Sequence, residues 1–258
     1  MDTLELENLY QESLASFDSI LVDAINVSQA VAGRMTDAKP WWASVLFTRL
    51  CNTAMSLLVI TPRSRLSRDD REHWDFSAIA TLARNLVECY FVFFYLAVEP
   101  VDEDEWQCRL NLMHLHDCTT RLRMFRDFGS SDVEIKGFEA QVEELRERLQ
   151  KLHYFNALPE KQQKKFLKGD NAFLLSQDDL LSRMGEEIAP FRGMYRFLST
   201  HVHSFPVSFY RMADQNRGRG LENTVEKGYI ATTLSFAKEA IRRATKEMVA
   251  IFPDIDPL

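Results

Sequence analysis

Glycine and proline are scarce, at 9 and 8 of 258 residues. A chain of short strands needs turns far more often, so sandwiches and barrels are disfavoured. Cysteine is also sparse: Cys51, Cys89, Cys108 and Cys118 form no C-x-x-C pair. That spacing supports neither a zinc site nor a disulfide framework, and it predicts four reduced, buried thiols. Basic excess is missing as well. A net charge of −7 disfavours indiscriminate nucleic-acid binding but leaves room for a local basic site. One segment, 78–98, reaches bilayer-spanning length, yet Arg84, Asn85 and Glu88 interrupt it. Charges at that depth are costly in lipid, and Arg84 and Glu88 stand four apart, where they pair on one helix face. A buried soluble helix is expected. The N-terminus is acidic and lacks the basic and apolar regions of a secretion signal, so a cytoplasmic protein with no membrane contact is expected.

What is present is helical periodicity. Leu6, Tyr10, Leu14, Phe17, Leu21, Ala24, Ser28 and Val31 recur at three- and four-residue steps, predicting a long first helix over about 3–33. Pro40 suits the start of a second helix that stops before Thr61-Pro62. Asp75 caps a third, and Asp102 or Asp104 starts a fourth that Gly129 ends. Ile135, Phe138, Val142, Leu145, Leu149 and Leu152 mark a fifth. Short helices are expected near 161–168 and 176–184, and a longer one over 186–203. The last shows Ile230, Leu234, Ala237, Ile241, Ala244, Met248 and Ile251 in one stripe. The expectation is a single all-α domain, 1–258, with its core over about 40–250 and seven to nine helices.

Common catalytic signatures are missing: there is no P-loop, no dinucleotide fingerprint, no H-E-x-x-H and no nucleophile elbow. No metal or cofactor is expected. His114 and His116 sit two apart on a helix, about 200° around its axis, and cannot share a ligand. The segment Tyr195-Arg196-Phe197-Leu198-Ser199-Thr200-His201-Val202-His203 is more informative. Arg196 and His203, seven apart, fall within ~20° of one helix face, and Ser199 and Thr200 share it. His201 points elsewhere if the helix continues. Arginine grips phosphate by two hydrogen bonds and histidine moves protons, so this pairing suits phosphate chemistry.

Arg196-x4-His201 and Arg196-x6-His203 both match the R-x(4–6)-H motif of the HEPN superfamily. With the Ala83-Arg84-Asn85-Leu86-Val87-Glu88-x-Tyr90 helix, the chain resembles uncharacterised bacterial helical proteins placed near that superfamily. The resemblance implies an HEPN-like helical bundle, often a metal-independent ribonuclease of toxin–antitoxin or phage-defence systems. It implies catalysis by Arg196 with His203 or His201, and contacts to RNA from Tyr195, Ser199, Tyr210 and Arg211. A homodimer pairing two motifs, and an antitoxin or other protein partner, are implied with it. Phe197 departs from the pattern, which commonly has a polar residue after the motif arginine. The other reading is a non-catalytic helical module that binds a protein partner, a nucleotide or RNA.

Three basic stretches are candidate phosphate contacts. They are Arg63, Arg65, Arg68 and Arg71 in one loop; Lys161, Lys164, Lys165 and Lys168; and Arg211, Arg217 and Arg219 after the histidine-bearing helix.

Overall fold

The computed structural model describes residues 2–67 and 72–255, and within them the regular structure is entirely helical. Eleven α-helices are present among the described residues, more than the seven to nine expected. The two extra ones are single turns, His153–Ala157 and Pro206–Phe209, too short to show periodicity in sequence. The only β feature among the described residues is an isolated bridge between Trp74 and Gly220.

The chain divides into two compact units, one formed by 1–98 with 184–258 and the other by 99–183. In the first, α1 (Thr3–Val31) packs along α11 (Thr224–Ile251). Asp2 and Glu5 close a capping box at the start of α1, satisfying backbone N–H groups that no helical carbonyl reaches. The buried stripe of α1 follows the expected positions up to Ala24. It then uses Val27 in place of Ser28, as a 3.6-residue period drifts off a 3.5-residue one. Helix α2 (Ala38–Ile60) and helix α3 (Phe76–Phe93) pack together, and α3 also meets α11 and α9 (Ile188–Val202). Asp75 caps α3 by accepting from the Ser77 and Ala78 N–H groups, and a π-helical turn extends α3 to Val98. Helix α2, and α3 with its π-turn, are long and apolar enough to cross a membrane by length and composition alone. Two-thirds of the apolar window in α3 is nevertheless buried within the protein.

In the second unit, α4 (Glu103–Asp127) and α5 (Asp132–Lys151) form a hairpin turned by Gly129 at φ +68°. The short α6 (His153–Ala157), α7 (Glu160–Phe166) and α8 (Gln177–Arg183) follow. Leu112, Leu115, Val142, Leu149, Phe155 and Phe166 belong to its core. Arg109, fully buried, is neutralised by Glu99 at 2.7 Å and Glu105 at 2.5 Å. All four cysteines are buried and free.

Candidate functional site

Helix α9 continues through Val202, and His203 caps it, with its N–H on the Ser199 carbonyl at 3.1 Å. The Arg196 and His203 side chains are both exposed. The cation that meets His203, however, is Arg84 of α3: Arg84 Nη1 lies 3.0 Å from His203 Nε2. Arg84 is held in place from three sides. It donates to the Tyr195 hydroxyl at 3.1 Å, its guanidinium lies over the Tyr195 ring at 4.8 Å, and it pairs with Glu88 as the four-residue spacing predicted. Tyr195 in turn donates to Glu88 at 2.6 Å. Burial, followed by that bond to Glu88, raises the Tyr195 phenol above its ordinary range. The result is a surface cluster of imidazole, guanidinium, phenol and carboxylate drawn from two helices. Sequence spacing cannot reveal the Arg84–His203 contact, because 119 residues separate the two. The one hint was the four-residue pairing of Arg84 with Glu88 inside an apolar helix.

His201 sits apart from this cluster. It is 3% exposed and boxed by the rings of Phe76, Phe197 and Tyr229. Burial, then the nearby Arg217 charge, pushes its imidazole down to about 4, so it is neutral at pH 7. Ser199 bonds back to the Tyr195 carbonyl at 2.7 Å, half-buried. Tyr210 and Arg211 are exposed, with Tyr210 edge-on to Phe209. Phe205, Val207 and Phe209 are exposed beside them on and around α10 (Pro206–Phe209), leaving an apolar run directly after His203.

The basic stretches fare unequally. Arg217 is 5% exposed with its guanidinium over the Tyr229 ring, so the expected surface patch of Arg211, Arg217 and Arg219 loses its middle member to the interior. Arg63 is paired with Glu7, Glu72 and Glu222, and Arg65 with Asp18; Arg68 and Arg71 lie outside the described residues. Lys164 pairs with Glu160 on α7, and Lys165 lies over the Phe166 ring.

No curated protein and no solved structure matches the chain. Residues 41–220, which include the Arg84, Glu88, Tyr195 and His203 cluster, match the model of a family of unknown function, DUF5677, and the chain belongs to that family.

Proposed function

We propose that the protein is a metal-independent, HEPN-like endoribonuclease, a toxin or phage-defence effector acting in the cytoplasm as a homodimer. The observation that carries the reading is the 3.0 Å contact between Arg84 and His203 on an exposed surface. Arg84 donates to Nε2, so in the free protein that nitrogen holds a lone pair. An incoming RNA phosphate takes over the guanidinium donors and frees Nε2 to accept the 2′-hydroxyl proton. The 2′-oxygen attacks phosphorus, the bond to the 5′-oxygen breaks, and a 2′,3′-cyclic phosphate results. Arg84, with Arg196 on the helix that carries His203, stabilises the charge gathered on the phosphate. His203 of a second copy, once solvent has protonated it to the imidazolium, gives that proton to the leaving 5′-oxygen, and the first imidazole returns the 2′-hydroxyl proton to solvent. An antitoxin or other protein partner would hold such an enzyme in check.

The second reading, a non-catalytic binding module, has its own support. Glu88 neutralises part of the Arg84 charge, and the exposed Phe205, Phe209 and Tyr210 rings suit stacking or protein contact more than chemistry. RNA cleavage in EDTA separates the two. Wild type is expected to cleave, and Arg84→Lys, Arg196→Ala and His203→Ala each to lose about 10²-fold or more with unchanged circular dichroism. His201→Ala matters less. Wild type inert on every RNA tried, or variants at full rate, leaves the binding module standing.

A further inference from the structure

The first unit holds a cavity of about 190 Å³ lined by Asp75, Phe76, His201, Met212, Arg217 and Glu226, among others. Three of these are polar side chains that solvent scarcely reaches: His201, Arg217 and Glu226 are 3, 5 and 2% exposed. Four of their buried atoms have no hydrogen-bond partner among the described residues: Arg217 Nε and Nη2, Glu226 Oε2 and His201 Nδ1. Buried polar atoms are nearly always paired, and four around one cavity mark a place built to receive polar groups.

The rest of each side chain is already engaged, which fixes what is left over. Arg217 Nη1 donates to Gln215 at 3.3 Å and its guanidinium rests on Tyr229, so the Nε–Nη2 edge remains. Glu226 Oε1 accepts from the Gly218 N–H at 3.0 Å, so Oε2 remains. Arg217 and Glu226 do not satisfy each other, their closest approach being 3.8 Å. Two adjacent donors on a guanidinium edge match the two oxygens of a carboxylate. The acceptors are Glu226 Oε2 and, in the Nε2–H tautomer, His201 Nδ1, whose ring is neutral at pH 7. Asp75 also lines the cavity but is solvent-exposed and caps α3 through Oδ1, so the charges shut away from water are one cation and one anion, and they call for an occupant with no net charge. A cavity of about 150 Å³ holds a benzene-sized molecule, so this one suits a ligand of similarly few heavy atoms.

We infer that this cavity binds a small zwitterionic α-amino acid, its carboxylate on Arg217 and its ammonium on Glu226 and His201. The site is separate from the Arg84–His203 cluster and does not depend on ribonuclease activity.

Titration calorimetry and thermal unfolding of the full chain test it, with glycine, L-alanine and L-serine as probes and acetate, inorganic phosphate and methylammonium as half-matching controls. One of the three amino acids is expected to bind saturably and, at a hundredfold excess over its Kd, to raise Tm by about 5 °C. The controls should not. Arg217→Gln and Glu226→Gln are each expected to weaken binding at least tenfold. Ser77→Phe fills the cavity from its wall, leaves both charges in place, and is expected to abolish binding. It decides the matter if either charge variant fails to fold. The inference is overturned if no amino acid gives saturable heat, if acetate or phosphate binds as tightly, or if Ser77→Phe binds unchanged.

Discussion

Glu247 and His201 respond to pH in opposite senses over nearly the same range. Burial raises the Glu247 carboxyl from 4.5 to about 7, against the hydrogen bond it accepts from Tyr90 at 2.9 Å. Between those values the folded protein keeps a proton that the unfolded chain has lost, so stability falls as pH rises. His201 is lowered from 6.5 to about 4, so over that span the unfolded chain holds the extra proton and stability rises with pH. Each effect is worth about 3 kcal/mol at its full extent, and from pH 4.5 to 6.5 the two offset each other. Wild-type Tm should therefore change little there on their account. Glu247→Gln should leave a curve that climbs with pH, and His201→Asn one that descends. Melting curves at half-unit pH steps check this, and parallel curves for all three proteins would refute it.

At the scale of the helix, Asn223 does double duty at the start of α11. Its side-chain oxygen accepts from the Val225 and Glu226 N–H groups, and its amide nitrogen donates to the Gln215 and Asn216 carbonyls. Asn223→Ala is expected to cost about 1–2 kcal/mol in urea unfolding. Asp37→Ala should cost less, because Asp37 caps α2 without a side-chain hydrogen bond. The long helices could be read from sequence because each buries a face through many turns, and repetition averages out single exceptions such as Ser28. The turns α6 and α10 could not, since four or five residues complete no pattern. The same limit divides the candidate site. Arg196 and His203, on α9 and at its cap, are related by a seven-residue spacing that sequence shows, and Tyr195 enters only through the family resemblance, while Arg84 reaches His203 only through packing of α3 on α9. The inward turn of Arg217 was equally hidden, because it depends on Tyr229, Gln215 and Glu226 closing around it.

Across the whole molecule, each compact unit closes a hydrophobic core of its own. Leu149, fully buried in the core of 99–183, should cost about 2–5 kcal/mol when changed to alanine. Calorimetry is expected to show that Leu149→Ala lowers the melting of that unit by more than that of the other. A uniform shift of one sharp transition would contradict this. The cysteines supply the means to assign such transitions. Cys51 and Cys89 lie in one unit, Cys108 and Cys118 in the other, and burial pushes Cys51 and Cys108 up to about 12 and Cys89 to about 11. Burial raises Cys118 as well. Only a thiolate attacks an alkylating reagent, so at neutral pH the folded chain is close to inert toward iodoacetamide. Alkylation then becomes a clock that starts when a unit opens. Peptide masses after a timed pulse would record, without any engineered label, which half of the molecule lets go first.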